Sequence, residues 1–215
     1  MKIFSLPANG IQALFFDMDC TLYTHDEYAR TQIDLPIERL ARLQGKTFEK
    51  MREEFAVFQK NWADSHDSKK ISLGNTLLNF GVSIGDIIRW REELYQPEKY
   101  LVRDEALRLA LVQLAKRFSL AVVTNNPVSV AARTLSVLGV HDILQKIVGL
   151  DTLRLSKPNE KILREAAKLC GAPEERCVSV GDRYDIDIAL PLELGMGGVL
   201  VDGVLDVYKL PDLIT

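Results

Sequence analysis

Asp17 and Asp19 stand two residues apart at the end of the apolar run Leu14-Phe15-Phe16, and a thiol and a hydroxyl, Cys20 and Thr21, follow them. A run of this kind reads as a strand buried on both faces. Side chains two apart on an extended segment point the same way. In parallel sheets reactive groups gather just past the carboxyl ends of the strands. Two acids placed there repel one another unless a cation or a shared proton intervenes. Three chemistries meet that condition: a metal site, an acid–base pair, or a carboxylate nucleophile beside a proton donor.

Four further apolar segments, 118–124, 146–150, 177–181 and 198–201, have the same strand character. Their ends are polar as well. The first runs into Thr124-Asn125-Asn126, Ser156-Lys157-Pro158-Asn159 follows the second, and the third runs into Gly181-Asp182-Arg183-Tyr184-Asp185-Ile186-Asp187. Helical spacing fills the intervals at 104–117, 128–138, 159–169 and 185–194. Strands alternating with helices predict an α/β fold, a Rossmann-like three-layer core around a central parallel sheet. Residues 25–100 break the rhythm with four predicted helices, 36–43, 47–63, 69–80 and 83–95, punctuated by Gly45, Gly81 and Pro97. Phe55, Phe58, Trp62, Leu77, Leu78, Ile87 and Trp90 are expected to form the core of that small bundle. The division that follows is a core domain, 1–23 and 101–215, with an all-helical cap, 24–100, inserted after the first strand.

Length and composition bound the function. The 215 residues fit one large domain or a core with an insert, and a net charge of -3 gives no electrostatic reason to expect a nucleic-acid polymer as partner. No apolar stretch approaches the length that spans a membrane. Met1–Gly10 lacks the long apolar region of a signal peptide. The three cysteines, Cys20, Cys170 and Cys177, have no metal-ligand spacing, which predicts reduced thiols and a cytoplasmic protein.

The four polar strand ends together resemble the haloacid dehalogenase-like superfamily, in its phosphatase branch with a helical cap. That family carries a paired-Asp strand end, a strand ending in Ser or Thr, a Lys, and a Gly-Asp strand end followed by another acid. All four occur here in order. The resemblance implies that Asp17 attacks phosphorus and forms an aspartyl phosphate, and that Asp19 serves as general acid and then as base. It implies Mg2+ held by Asp17, Asp182 and the backbone carbonyl of Asp19, with Asp187 orienting the metal water or Lys157. Thr124 and the Asn125 N–H would hold phosphate oxygens, and Lys157 would supply a cation. The implied substrate is a small phosphorylated metabolite, such as a nucleoside monophosphate, a sugar phosphate or phosphoglycolate, and the protein a monomer or homodimer. A phosphomutase shares every one of these residues. A non-catalytic phosphate-binding module is the remaining reading, and a dehalogenase would have no use for Asp19 and Asp182.

Several residues admit two readings. Cys20 stands where the family often has Gly; it is either a small filler or a thiol whose pKa a metal site lowers. Thr21 is expected to fix the loop after the strand through its hydroxyl. Asp185 reads as a helix N-cap or first-turn acid, and His25 as a hinge residue, with contact to substrate the less favoured of its two readings. His66 and His141 read as surface residues. Arg52, Lys60 and Lys69 are candidates to face the crevice from the cap.

Overall fold

The computed structural model describes residues 1–214. Strand β1 is Lys2–Ser5 and β2 is Ala13–Phe16; helices α1 (Asp26–Leu43), α2 (Phe48–Ser65), α3 (Leu73–Asn79) and α4 (Ile84–Leu94) follow. Then come α5 (Glu105–Ala115), β3 (Ser119–Val123), α6 (Val128–Leu138), β4 (Lys146–Val148), α7 (Leu150–Leu153) and α8 (Glu160–Cys170). The chain ends with β5 (Cys177–Gly181), a π-helical turn (Tyr184–Ile188), α9 (Ala189–Glu193), β6 (Gly197–Leu200), α10 (Val204–Val207) and α11 (Leu210–Leu213).

The six strands lie in the order β1-β6-β5-β2-β3-β4. All neighbours are parallel except β1, which pairs antiparallel with β6 at the edge. Strand β2 sits between β5 and β3, with Phe16 level with Val180 and Val122. Its period of two sorts its side chains between two cores. Leu14 and Phe16 join Leu120, Val122, Val178 and Val180 against α5, α6, α10 and α11. Ala13 and Phe15 join Ala121, Val123 and Cys177 on the other face, against α8. Apolar residues on both faces are what a fully covered parallel strand requires, so the three layers follow from the composition of β2, β3 and β5. A third cluster, built from Ile37, Leu40, Met51, Phe55, Leu77, Ile87 and Trp90, holds α1–α4 together, with Leu150 packed against it.

Five details depart from the sequence expectation. Strand β1 has no counterpart in it, because Lys2–Ser5 is mostly exposed and shows no alternation. Helix α1 starts at Asp26 and runs through Pro36, where the sequence predicts a helix start. Proline removes the bond that its N–H would give to the carbonyl four residues back. That carbonyl belongs to Gln32, and the Tyr95 hydroxyl donates to it at 2.6 Å. Helix α3 begins only at Leu73, with the Ser72 hydroxyl capping the N–H of Asn75 at 3.2 Å. The segment 185–194 is divided into the π-helical turn and α9, since Pro191 has no N–H for Asp187 O. Within the bundle Leu78 is exposed, and Phe58 and Trp62 are half-buried rather than core. No helix among the described residues is long and apolar enough to cross a membrane.

Candidate active site

The carboxyl ends of β2, β3 and β5 lie side by side, and Asp17, Thr124 and Asp182 each follow the last residue of one of them. Lys157, 4% exposed, reaches this point from the loop before α8. Its Nζ donates to Asp17 Oδ1 at 2.6 Å, Asp187 Oδ1 at 2.7 Å and the Val123 carbonyl at 2.8 Å, which uses all three ammonium protons. Its N–H donates to Asn125 Oδ1 at 2.7 Å, tying the lysine loop to the end of β3. Asp187 Oδ2 accepts from the Arg183 N–H at 3.1 Å. The π-helical turn delivers Asp187 tightly against β5: a Cβ on Gly181 would lie 2.4 Å from that of Asp187, so only glycine fits there.

Charge sets the protonation of this cluster. Burial alone would raise the Asp17 carboxyl, but the ammonium of Lys157, helped by Arg183, outweighs it and holds Asp17 below the usual range. Burial likewise works against the charge on Lys157, and Asp17 and Asp187 overcome it and raise its pKa. Removing the ammonium would leave two buried carboxylates facing each other. Lys157→Met is therefore expected to destabilise the fold by about 3–5 kcal/mol, the range for breaking a buried pair from one side. Urea denaturation measures it, and an unchanged midpoint would show that the lysine does not neutralise the pair.

Asp19 is held by three donors. The Tyr23 hydroxyl and Gln32 Nε2, the latter at 3.0 Å, donate to Oδ1, and Asn126 Nδ2 donates to Oδ2 at 2.8 Å. Burial and then repulsion from Asp17 raise the Asp19 pKa in spite of these bonds. Two neighbouring acids thus have opposed protonation preferences, the arrangement that separates a nucleophile from a proton donor.

Asp17, Asp182 and Asp187 each offer a carboxylate oxygen within 4.8 Å of the others. Asp17 Oδ2 and Asp182 Oδ1 are buried and accept no hydrogen bond among the described residues. Buried acceptors of this kind are rarely left alone. An oxygen-rich, anionic pair with free lone pairs suits a hard divalent cation such as Mg2+. Burial, then Asp17, push the Asp182 carboxyl up to about 7, although Arg183 and Lys157 act against the shift.

The sequence profile of a hydrolase family, described as haloacid dehalogenase-like hydrolase, matches residues 11–195. The chain belongs to the haloacid dehalogenase-like hydrolases. The glyceraldehyde 3-phosphate phosphatase of Methanothermobacter thermautotrophicus is 28% identical over 203 residues, which cover 91% of this chain and 87% of that one. The phosphoglycolate phosphatase of Colwellia psychrerythraea is 35% identical over 68 residues, 32% of this chain and 30% of that one. Among solved structures, a haloacid dehalogenase-like phosphatase from Thermococcus onnurineus has a TM-score of 0.61 at 22% identity, covering 89% of this chain and 86% of that one. That likeness establishes the fold.

In this haloacid dehalogenase-like hydrolase Asp17, Asp182, Asp187 and Lys157 converge, and Asp19, Thr124 and Asn125 border them. Thr124 Oγ1 accepts from the Asn126 N–H at 3.1 Å. Asp17, Lys157 and Asp187 line a cavity of about 10 Å³, while a separate crevice of about 280 Å³ is lined by Asp19, Asn125, Asn126, Asp182 and Arg183. Its wall from the helical insertion holds Gln32, Ser72, Arg91 and Tyr95, none of which has a sequence signal beyond helical spacing. Asn126, Arg183 and Tyr23 were also missed, although the first two adjoin residues that the sequence singles out. The expected crevice cations lie elsewhere: Arg52 pairs with Asp34 at 3.6 Å, Lys60 with Asp64 at 2.8 Å, and Lys69 is exposed away from the crevice wall.

Other expectations change too. His25 Nδ1 accepts from the Tyr28 N–H at 3.2 Å, so the imidazole caps α1 and is not on the crevice wall. Asp185 stands in the first turn of the π-helical segment, as one of its two readings had it, and also accepts from the Lys70 N–H at 3.2 Å, a bond between the insertion and the core. Cys20 adopts φ = +60°, the left-handed region that favours glycine. Burial, with Asp182 and Asp19 beside it, pushes the pKa of its thiol up to about 12. Thr21 Oγ1 is buried with no partner among the described residues, so its hydroxyl does not tie the loop.

Proposed function

We propose that this protein is a magnesium-dependent phosphatase that hydrolyses a small phosphomonoester through an aspartyl phosphate. The observation that carries this reading is Asp17: one oxygen is neutralised by Lys157, and the other is buried, unpartnered and beside an acid of raised pKa. A carboxylate oxygen of Asp17 attacks phosphorus, and the bond from phosphorus to the substrate oxygen breaks. Asp19 donates its proton to that leaving oxygen. In the second half Asp19 takes a proton from water, whose oxygen attacks the same phosphorus and frees Asp17 and inorganic phosphate. Thr124 and the Asn125 N–H hold phosphate oxygens, and Lys157 offsets their charge. Asp17, Asp182 and the Asp19 carbonyl would hold magnesium, which would supply neutralisation of the phosphate charge. Asp187 keeps Lys157 in place.

Residues 24–100 are the cap in this reading, closing over a core of 1–23 and 101–215. Relatives named for glyceraldehyde 3-phosphate and phosphoglycolate support a substrate of two or three carbons. The protein works on metabolites in the cytoplasm as a monomer or homodimer, with neither nucleic acid nor membrane as partner.

Phosphate release from a panel of two- and three-carbon phosphates, sugar phosphates and nucleoside monophosphates tests the proposal. Release is expected with magnesium and none with chelator. Because an Asp182 with a pKa of about 7 must lose its proton to bind metal, apparent magnesium affinity is expected to fall as pH drops below 7, by up to about tenfold per unit. Affinity that does not vary between pH 5 and 8 would remove Asp182 from the metal site.

A further inference from the structure

Arg91 lies on α4, lines the crevice, and is only 6% exposed. Its Nη1 donates to the Asn125 carbonyl and, at 3.1 Å, to Asn126 Oδ1. Its Nε is buried without an acceptor, and no carboxylate pairs with it among the described residues. A guanidinium withdrawn from water without a counter-charge is costly. The other cation on the crevice wall, Arg183, is different. Its Nε lies 3.6 Å from Asp182 and 3.8 Å from Asp187, so its charge is already balanced.

The remaining polar groups on the insertion's wall are committed. Gln32 Nε2 is on Asp19, the Tyr95 hydroxyl is on the Gln32 carbonyl at 2.6 Å, and Ser72 Oγ is shared between the Asn75 N–H and Ser156 Oγ. Gly74 leaves the guanidinium edge clear, since a Cβ there would lie 3.6 Å from Arg91 Nη2. The fold thus holds a guanidinium with no carboxylate in direct contact, its nearest negative charge being Asp19, beside the space for the non-phosphate end of a substrate.

We propose that Arg91 selects phosphomonoesters with a second anionic group, a carboxylate, close to the phosphoester: phosphorylated short-chain hydroxy acids. This rests on the phosphatase reading above. The spacer is short because Nη1 bonds to Asn125 and Asn126, and in the reading above the Asn125 N–H holds the phosphate. The group is a carboxylate because its two coplanar oxygens match the planar fork of a guanidinium.

The test compares kcat/KM of the magnesium-loaded enzyme on 2-phosphoglycolate and 3-phosphoglycerate with that on glycolaldehyde phosphate and glycerol 3-phosphate, which lack the carboxylate. Wild type is expected to prefer the acids by about 10–100-fold, the worth of a charge-assisted pair. In Arg91→Met that ratio is expected to fall to about 1, mainly through a higher KM for the acids. Arg91→Lys keeps the charge and is expected to keep part of the preference. Equal use of both classes by wild type overturns the inference. So does a loss in Arg91→Met or Arg91→Lys that is the same for both classes, which would place the guanidinium on the transferring phosphate or in the fold. If Arg91→Met does not fold, the wild-type ratio and Arg91→Lys decide. No release from any compound by folded wild type would instead defeat the phosphatase reading. Calorimetric binding of 2-phosphoglycolate against glycolaldehyde phosphate, to wild type and Arg91→Lys, then decides on Arg91, and equal affinities overturn its role.

Discussion

Asp17→Asn is expected to lower phosphate release by about 10⁵-fold or more, the order of loss when a covalent nucleophile is removed. The amide has nearly the shape of the carboxylate, so the strand and its cores are untouched. Lys157 keeps Asp187 at 2.7 Å and the Val123 carbonyl at 2.8 Å, and so remains paired. What is lost is the electron pair that attacks phosphorus and one of the oxygens available to the metal. The variant should retain its circular dichroism and still bind phosphate, while failing to form a phosphoenzyme in rapid-quench experiments with labelled substrate. Turnover near the wild-type rate, from a preparation free of deamidation, would mean that another group attacks.

Asp19→Asn is the second large effect, about 10²–10⁴-fold on alkyl phosphates, as expected for a general acid. The substitution also disturbs a bonding pattern. An amide nitrogen in place of Oδ2 would face Asn126 Nδ2, donor against donor, where the wild type has a bond of 2.8 Å. The Asn126 amide cannot simply rotate, because its oxygen accepts from Arg91 at 3.1 Å. Part of the loss therefore comes from a loosened phosphate loop and part from the missing proton. Leaving groups separate the two. With p-nitrophenyl phosphate, whose leaving oxygen needs little protonation, only the loop contribution remains and the loss should be smaller. Equal losses on alkyl and nitrophenyl esters would deny Asp19 the acid role.

The parts of this site that were readable in the sequence are those where chemistry contradicts environment. Asp17 and Asp182 end strands whose other residues are apolar on both faces, and an acid in such a place demands a reason. Thr124 was legible in the same way, whereas Lys157, in a loop, was legible only through its place in the order of motifs that the resemblance supplies. The three layers were equally plain, because Ala13–Phe16 must be covered on both sides. Gln32 and Arg91 were not readable. Each is one polar residue among many on an amphipathic helix, and which of them faces the crevice depends on packing against Met51, Phe55 and Trp90 far from it. Strand β1 was hidden because an exposed edge carries no pattern. Pro36 misled because proline favours a helix start when nothing distant can replace its missing N–H.

That replacement has a historical consequence. Pro36 and Tyr95 lie on different helices, yet the proline leaves a carbonyl that the phenol completes. A lineage that lost the hydroxyl first would pass through an orphaned buried carbonyl. A lineage that first exchanged the proline for alanine would restore the helical bond, and the hydroxyl would become dispensable. The two positions can therefore drift in one order but not in the other. The residues that this joint steadies, Gln32 on one helix and Arg91 on the other, inherit that restriction although neither takes part in it.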